Sequence, residues 1–259
     1  MSTYKIKIVQ INIYKGRYLD TLVDFLKKED PDFVTMQEVT TSGFSLYEGD
    51  NKDIFAVLGS KLGVGGVYNG DLKLIGDEKA RFGNAVFSKH KMVGKNSLVL
   101  KSFRAVTNEE LDGESGEIRE QIGRSLLDAV VNFHGSDFHI MSWHGAWTAP
   151  PQDTAETMRQ ANMVYDYLKK LNDPFILGGD LNAVMTSKTV ELIGKVANNL
   201  MIQADAKVTT NLKVHKIAPL GFLIDYIFAS AEFKLNSITV PEITVSDHLP
   251  VIAELEIDL

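Results

Sequence analysis

The alternation of strand and helix signals at the start of the chain restricts the possible folds most strongly. Residues 5–13 place apolar side chains on both faces of an extended segment, which is typical of a strand in the middle of a sheet. Residues 18–28 carry apolar side chains at helical spacing and end in two lysines before Asp30-Pro31, and residues 33–36 form a second strand. This order predicts a β-α-β unit and therefore an α/β fold.

Strand signals dominate the rest of the chain, with two further helices between them. Residues 153–171 form the clearest helix, with Asp153 as the expected N-cap, and residues 187–196 form another. The glycine-rich residues 63–70 are interpreted as a flexible turn. The expected strands are residues 85–88, 93–103, 126–133, 138–143, 174–177, 224–228, 233–240 and 251–257. Because no linker or repeat interrupts this order, we expect one domain over residues 1–259.

Composition excludes several classes of protein. The chain has 259 residues and no cysteine, so disulfide bonds and thiolate metal ligands are ruled out. Its N-terminus lacks the apolar core of a signal peptide, and no apolar run reaches the roughly 18 residues that span a bilayer. We therefore expect a cytoplasmic protein without a membrane span, and a monomer.

The charge of the chain is negative overall and uneven along its length. A net charge of −7 argues against a protein that coats nucleic acid by charge alone. Residues 79–108 nevertheless carry seven lysines and arginines and no acid, and the acidic segment 109–120 follows. Two readings stay open: a solvated strand pair beside a solvated loop, or one wall of an anion site next to a loop that limits access.

The stretch FILGGDLNA, residues 175–183, brings an acid and an amide to the end of a buried strand. Asp180 and Asn182 lie two positions apart, so on an extended segment their side chains face the same side. The glycines at 178 and 179 allow a sharp turn or a close approach by another group. Taken alone, the pattern fits a local turn as well as a binding site.

Other expected strand ends repeat this pattern, and the repetition indicates a site. Polar residues stand at or next to the ends of five more strands: Asn12, Glu38, His144, Asp225 and the pair Asp247-His248. Ligand sites in α/β sheets lie where the carboxyl ends of strands meet. Carboxylate and amide oxygens suit Mg²⁺ or Mn²⁺, and histidines beside carboxylates can move protons or stabilise charge. These are the groups needed for metal-assisted hydrolysis of a phosphate ester.

Seven motifs in order along the chain resemble the endonuclease/exonuclease/phosphatase superfamily, over residues 4–257. They are QIN at 10–12, MQEV at 36–39, FGNAVFSK at 82–89, SWHG at 142–145, GGDLNA at 178–183, IDYIFAS at 224–230 and SDHLPV at 246–251. The resemblance implies a four-layer α-β-β-α sandwich of two mixed sheets with helices outside and the site at one rim.

The resemblance also implies a role for each site residue. Asn12, Glu38 and Asp247 would hold Mg²⁺ or Mn²⁺. Asp180 would activate the attacking water, Asn182 would contact the phosphate and His144 would bind or protonate it. His248, oriented by Asp225, would stabilise the pentavalent state. Three further residues are candidates for contacting substrate: Asn84, Arg124 and Trp147.

The chain departs from many relatives around His144, and its substrate stays open. Trp147 lies in the loop after His144, where it could stack on a flat group or belong to the core. The first hypothesis is a metal-dependent phosphodiesterase that cleaves nucleic acid. One alternative is a phosphomonoesterase, or a phosphodiesterase for lipids or small molecules, and another is a binding protein without turnover.

Overall fold

Two six-stranded sheets packed face to face form the centre of the molecule. The computed structural model describes residues 2–41, 52–107, 109–110, 116–215 and 220–259, and the side chains of 77–80 and 116–117 lie outside the description. The strands are β1 Thr3–Asn12, β2 Phe33–Thr40, β3 Gly65–Leu74, β4 Asp77–Ser88, β5 Lys91–Lys101, β6 Arg124–Phe133, β7 Ser136–His144, β8 Phe175–Asp180, β9 Asn198–Asn199, β10 Asp225–Ala229, β11 Lys234–Thr239 and β12 Val251–Asp258. The first sheet has the order β11-β12-β1-β2-β4-β3 and the second has the order β5-β6-β7-β8-β10-β9.

The helices of the described ranges lie at the periphery of the two sheets. They are α1 Leu19–Glu29, α2 Ile54–Leu62, α3 Gly116–Gln121, α4 Ala155–Leu168 and α5 Lys188–Ile193. Apolar side chains of α1 and α2 pack on the first sheet, and those of α4 and α5 belong to the core that includes the second. The expected four-layer sandwich with mixed sheets is confirmed. None of the helices in the described ranges has the length and apolar character needed to cross a membrane.

Strand alternation explains why polar groups collect at one end of the space between the sheets. In β1, Val9 and Ile11 pack toward the helices, whereas Ile6 and Ile8 pack between the sheets. Because side chains alternate, Gln10 and Asn12 follow Ile6 and Ile8 on the inner face. The interior is therefore apolar along most of the strand and polar at its carboxyl end.

The register brings four carboxyl ends to the same rim. β1 runs parallel to β2 with Asn12 beside Gln37, and β7 runs parallel to β8 with His144 beside Asp180. The antiparallel strand β10 begins at Asp225, opposite Asp180. The β-α-β order predicted from the sequence thus positions the site.

Two local predictions were wrong. Residues 65–70 belong to β3 and not to a flexible turn, because glycine lets this strand pack closely: a Cβ on Gly66 would lie 2.7 Å from the Phe87 ring. Asp153 does not cap α4. Thr154 does so, in a capping box with Thr157, while the Asp153 carboxylate accepts from the backbone N–H groups of residues 188 and 189 at the start of α5.

Candidate active site

A cavity of about 330 Å³ opens at the rim where the carboxyl ends of β1, β2, β7 and β8 meet. It is lined by side chains from both sheets and from the loops beside them. Seven of the eight residues predicted from the sequence to act as metal or catalytic groups line it: Asn12, Glu38, His144, Asp180, Asn182, Asp247 and His248. The eighth, Asp225, is completely buried beneath His248.

A β-bulge turns Glu38 toward the cavity. The pairing of β2 with β4 shifts between Met36 and Val39, which pair with Ala85 and Gly83, so β2 contains one extra residue. Glu38 has a φ of 57°, which is unusual for a residue other than glycine. Bulges commonly redirect a side chain next to an active site. This bulge is why Glu38 lines the cavity although it lies within a strand.

Asp180 lies at the centre of the polar groups. Asn12 Nδ2 donates to its Oδ2 at 3.1 Å, which joins the two sheets, and the backbone N–H of Asn182 donates to its Oδ1 at 3.0 Å. The Nε2 atoms of His144 and His248 lie 3.6 and 3.7 Å from Oδ2. Burial raises the pKa of Asp180 to about 7, against the opposing attraction of His248.

The two histidines of the cavity have opposite electrostatic surroundings. His248 Nδ1 lies 2.8 Å from Asp225 Oδ2, so Nδ1–H donates to the carboxylate and Nε2 faces Asp180. Burial favours the neutral ring of His248, but Asp225 and Asp180 outweigh it and raise the pKa well above its usual value. Burial lowers the pKa of His144 well below the usual value, and the positive charges of Arg124 and His248 lower it further. His248 therefore favours the imidazolium form and His144 the neutral form.

Buried amides between the sheets support Asp225 from behind. Gln10 and Gln37 exchange two hydrogen bonds of 2.5 and 3.1 Å, and Thr35 Oγ1 donates to Gln10 Oε1 at 2.7 Å. Gln10 Nε2 also lies 3.5 Å from Asp225 Oδ1. Ser142 Oγ accepts from Gln37 at 2.9 Å, so this network reaches from the first sheet into the second. Connected polar groups of this kind hold a buried side chain in one orientation.

Arg124 brings a buried positive charge to the cavity. Its Nε donates to the carbonyl of Gly145 at 2.8 Å, and Nη1 donates to the carbonyl of Gly123 at 3.2 Å. Burial lowers the pKa of Arg124, while the carboxylates of Asp71, Glu38 and Asp180 oppose this. A guanidinium held in this way can contact a phosphate oxygen.

The carboxylates of Glu38 and Asp247 form an oxygen-rich corner of the cavity. Burial raises the pKa of Asp247 to about 6, and the negative charge of Glu38 adds to this in spite of the attraction of His248. The single hydroxyl proton of Ser246 is shared between the backbone carbonyl of Asn12, 2.6 Å from Oγ, and Asp247 Oδ1, 3.2 Å from Oγ. Two carboxylates of one cavity, near enough for the charge of Glu38 to act on Asp247, fit a hard divalent cation, which would offset their repulsion. Asp180, Asp225 and His248 also lie close enough together to hold a metal ion.

The candidates for contacting substrate have different outcomes. Arg124 and Trp147 line the cavity. Asn84 does not, because it is buried between the sheets, where its Nδ2 donates to Asp71 Oδ2 at 3.2 Å and to the carbonyl of Ser125 at 3.0 Å. The structure thus places Asn84 in a buried polar cluster behind the wall. Trp143 is a core residue with 1% exposure.

The basic segment 79–108 does not form a wall of the cavity. Among its described side chains, Phe82 alone lines the cavity. Lys89 pairs with Asp30 at 2.6 Å, and Arg104 pairs with Glu110 at 2.5 Å. None of the cations whose side chains are described lines the cavity, so for these the reading as one wall of an anion site was wrong.

Several lining residues were missed from the sequence. Lys15 and Arg119 place cations on the wall, and the guanidinium of Arg119 lies 5.8 Å from the Trp147 ring. His215 also lines the cavity, with its ring centroid 5.5 Å from that of His248. The one sequence signal for His215 was its position in the acid-free stretch 206–224, which was open to interpretation as a loop.

Comparison with known proteins gives one family. Residues 9–248 match the model of the endonuclease/exonuclease/phosphatase family. A member of this family from Bacteroides vulgatus has a similar structure, with a TM-score of 0.76, 19% identity and coverage of 98% of this chain and 100% of that one. None of the curated proteins matches the sequence.

Two further similar structures are those of a phosphatase and of a catalytic domain. A mannosyl-6-phosphatase from Bacteroides thetaiotaomicron has a TM-score of 0.70, 18% identity and coverage of 96% of this chain and 99% of its own. The human Nocturnin catalytic domain has a TM-score of 0.69, 16% identity and coverage of 99% and 97%. At these identities the likeness shows a shared fold.

Proposed function

The chain belongs to the endonuclease/exonuclease/phosphatase family, whose members hydrolyse phosphoester bonds, and we propose that it uses the rim cavity for divalent-metal-dependent hydrolysis. The observation that carries this proposal is the convergence of Asp180, two histidines and an oxygen-rich corner in one cavity. These groups lie far apart in the sequence, so their convergence in one cavity supports a functional site there.

The oxygen-rich corner would hold the metal ion. Glu38 and Asp247 offer carboxylate oxygens and Asn12 offers an amide oxygen, which is the donor set that Mg²⁺ and Mn²⁺ prefer. When bound, such an ion supplies a Lewis acid for the phosphoryl oxygens. The β-bulge at Glu38 and the hydrogen bond from Ser246 to Asp247 hold two of these residues in place.

Asp180 would orient and deprotonate the attacking water. Its Oδ1 is fixed by the backbone of Asn182 and its Oδ2 by Asn12, so the carboxylate has one orientation toward the cavity. The water oxygen forms a bond to phosphorus as the ester P–O bond breaks, and the water proton passes to Asp180. The leaving oxygen takes a proton from solvent. Asn182 lines the cavity and would contact a phosphoryl oxygen, and its Nδ2 donates to the Gly145 carbonyl at 3.3 Å.

The histidines would act on the charge that develops in the transition state. His248 is oriented by Asp225 and faces Asp180, so its Nε2–H can stabilise the pentavalent phosphorus centre. His144 faces the same carboxylate from β7, the strand next to β8 in the same sheet, and would bind the phosphate group. Arg124 would add a fixed positive charge to this wall.

The size of the cavity favours a small phosphoester as the substrate. Its volume of about 330 Å³ lies at the lower end of the range for small-molecule sites. The chain has a net charge of −7, and Lys89 and Arg104 of the basic segment pair with acids instead of lining the cavity, which argues against a binding groove for duplex DNA. A similar structure belongs to a mannosyl-6-phosphatase, and this adds support for a phosphorylated sugar.

A nucleic-acid strand end is the second candidate, and Trp147 favours it. Its ring lies on the cavity wall next to Arg119, and bases stack on aromatic rings with little regard to sequence. The nuclease activity expected from the sequence would then act on single-stranded or frayed ends that reach into the cavity.

A substrate panel distinguishes these candidates. The purified chain is incubated with Mg²⁺ or Mn²⁺ and with sugar phosphates, nucleotides, p-nitrophenyl phosphate, bis-p-nitrophenyl phosphate, single-stranded DNA, RNA and duplex DNA. We expect hydrolysis that EDTA abolishes, with the small phosphoesters preferred. Trp147→Ala serves as the comparison, since it should lower activity on single strands more than on p-nitrophenyl phosphate if bases stack there.

Each outcome has a defined meaning. Cleavage of polymers with little activity on small esters would replace the first candidate by the second. A folded protein that hydrolyses none of these compounds with either metal would contradict hydrolysis and favour a binding protein on this fold. Circular dichroism of each variant establishes that the protein is folded.

A further inference from the structure

Three nitrogen and oxygen donors next to the proposed Mg²⁺ corner form a second cluster of different chemistry. One ligand atom each from His215, Asp247 and His248 lies within 4.8 Å of the other two. Mg²⁺ prefers oxygen donors, whereas two imidazoles and a carboxylate suit Zn²⁺ and similar transition metals. We propose that His215, Asp247 and His248 bind a transition-metal ion such as Zn²⁺, and that this ion inhibits the enzyme by occupying His248.

The loop that carries His215 is joined to the segment that carries the other two ligands. The backbone N–H of Asn211 donates to the Asp247 carbonyl at 2.7 Å, and Asn211 Nδ2 donates to the Ser246 carbonyl at 3.1 Å. The N–H of His215 in turn donates to the Asn211 carbonyl at 2.9 Å. Asn211 therefore fixes the backbone of His215 relative to that of Asp247.

A second connection holds this loop beside His248. Thr210 pairs with His248 in an isolated antiparallel bridge, and the N–H of Leu249 donates to the Thr209 carbonyl at 2.6 Å. Residues 209–211 thus run alongside residues 246–249. The cluster is built from two segments with fixed relative positions, and does not depend on a chance approach of two loops.

His248 already has the outer contact that metal-binding histidines show. Its Nδ1–H donates to Asp225 at 2.8 Å, which turns Nε2 toward the cavity. A ligating histidine usually donates its other ring nitrogen to a carboxylate in this way, and the contact fixes the ring. The carboxylates of Asp225, Asp180 and Asp247 lie around His248, and a bound Zn²⁺ would take the place of the proton on its Nε2.

The spacing of the ligands requires a small adjustment. Zn–N bonds measure about 2.0–2.1 Å, so the ligand atoms of a tetrahedral ion lie about 3.4 Å apart. Ligand atoms that lie within 4.8 Å of one another reach that spacing when rotation of the side chains moves each atom by about 1 Å. His215 and Asp247 are both partly exposed.

Occupation of this cluster has a direct consequence for catalysis. The same Nε2 of His248 cannot bind Zn²⁺ and stabilise a phosphoryl group at the same time. Asp247 belongs both to this cluster and to the Mg²⁺ corner, so the two ions share a ligand. Zn²⁺ should therefore inhibit the hydrolysis proposed above even when Mg²⁺ is in excess.

Zn²⁺ binding can be measured directly and without turnover. Isothermal titration calorimetry of the full chain in excess Mg²⁺ should show one Zn²⁺ bound per chain. His215→Gln removes one nitrogen ligand and should weaken this binding at least tenfold, since even outer contacts of metal ligands contribute about 10- to 100-fold. His134→Gln, at an exposed hairpin turn away from the cavity, is the matched control and should bind as the unchanged chain does.

The variants also separate this cluster from the Mg²⁺ corner. Glu38→Gln should retain Zn²⁺ binding. If His215→Gln binds Zn²⁺ as tightly as the unchanged chain, or if Glu38→Gln alone abolishes binding, the ion lies elsewhere and the proposal is wrong. The visible spectrum of bound Co²⁺ gives a second readout. The loss of one imidazole ligand should change the absorption bands in His215→Gln, whereas His134→Gln should show the bands of the unchanged chain.

Discussion

The substitution Gly178→Ala tests how closely the two sheets approach each other beneath the active site. Gly178 lies in β8, two residues before Asp180, and faces the buried amides between the sheets. An added methyl group would overlap Thr35 Oγ1 and would lie 2.9 Å from Gln10 Oε1. Thr35 cannot move aside without losing its 2.7 Å hydrogen bond to Gln10. We expect Gly178→Ala to destabilise the protein strongly.

The magnitude follows from two costs. Forcing one extra carbon into a packed interior costs about 1–3 kcal/mol. Leaving a buried polar group without its partner costs about 1–3 kcal/mol more. Together they lower the free energy of unfolding by about 2–6 kcal/mol, which is a large part of the roughly 5–15 kcal/mol that stabilises a typical domain.

Urea unfolding followed by circular dichroism measures this loss. Gly65→Ala is the matched control, because Gly65 also lies in a strand and a Cβ there has no atom within 4 Å. The control should change the free energy of unfolding by less than about 1 kcal/mol. A Gly178→Ala protein within 0.5 kcal/mol of the original (about the scatter of surface substitutions) would refute the close approach of the sheets.

Three further predictions concern charge and metal. The hydrogen bond with Asp128 raises the pKa of His139, so this pair stabilises the fold below a pH of about 6.5, and the contribution is lost as the pH rises through the pKa of the folded state. His139→Gln should therefore lower the free energy of unfolding by less at pH 9 than at pH 6. An equal loss at both pH values would contradict this. Asp225→Asn removes the charge that orients His248 and should lower kcat by about 10²- to 10⁴-fold in steady-state assays, whereas a loss of less than threefold would argue against that role. Glu38→Ala should shift the Mg²⁺ concentration for half-maximal activity upward by at least about tenfold, and an unchanged titration would remove Glu38 from the ligand set.

Local patterns in the sequence were sufficient for the order of elements and for most of the site. The β-α-β order predicted parallel neighbours whose carboxyl ends meet, and Asn12, His144 and Asp180 lie at those ends in the structure. Such residues are predictable because their position depends on the strand that carries them. The glycines at 178 and 179 are explained by close approach, since a Cβ on Gly179 would overlap the Trp143 carbonyl.

The features that were missed depend on contacts between distant segments. His215 reaches the cavity because Asn211 bonds to the backbone of Asp247, and no local pattern records that contact. The bulge at Glu38 depends on how β2 pairs with β4, which the sequence of β2 alone does not determine. Lys89 of the basic segment bonds to Asp30, far from it in sequence, and does not line the cavity.

The central claim is that Asp180 activates water for phosphoester hydrolysis in the rim cavity. The most direct measurement compares kcat for the preferred substrate, at saturating Mg²⁺, between the original chain, Asp180→Asn and Asp153→Asn. Asp153 binds the start of α5 outside the cavity, so its variant controls for loss of an acid elsewhere. We expect Asp180→Asn to lower kcat by about 10³-fold or more while Asp153→Asn stays within threefold of the original. A folded Asp180→Asn protein that keeps more than a tenth of the original kcat would contradict the assignment.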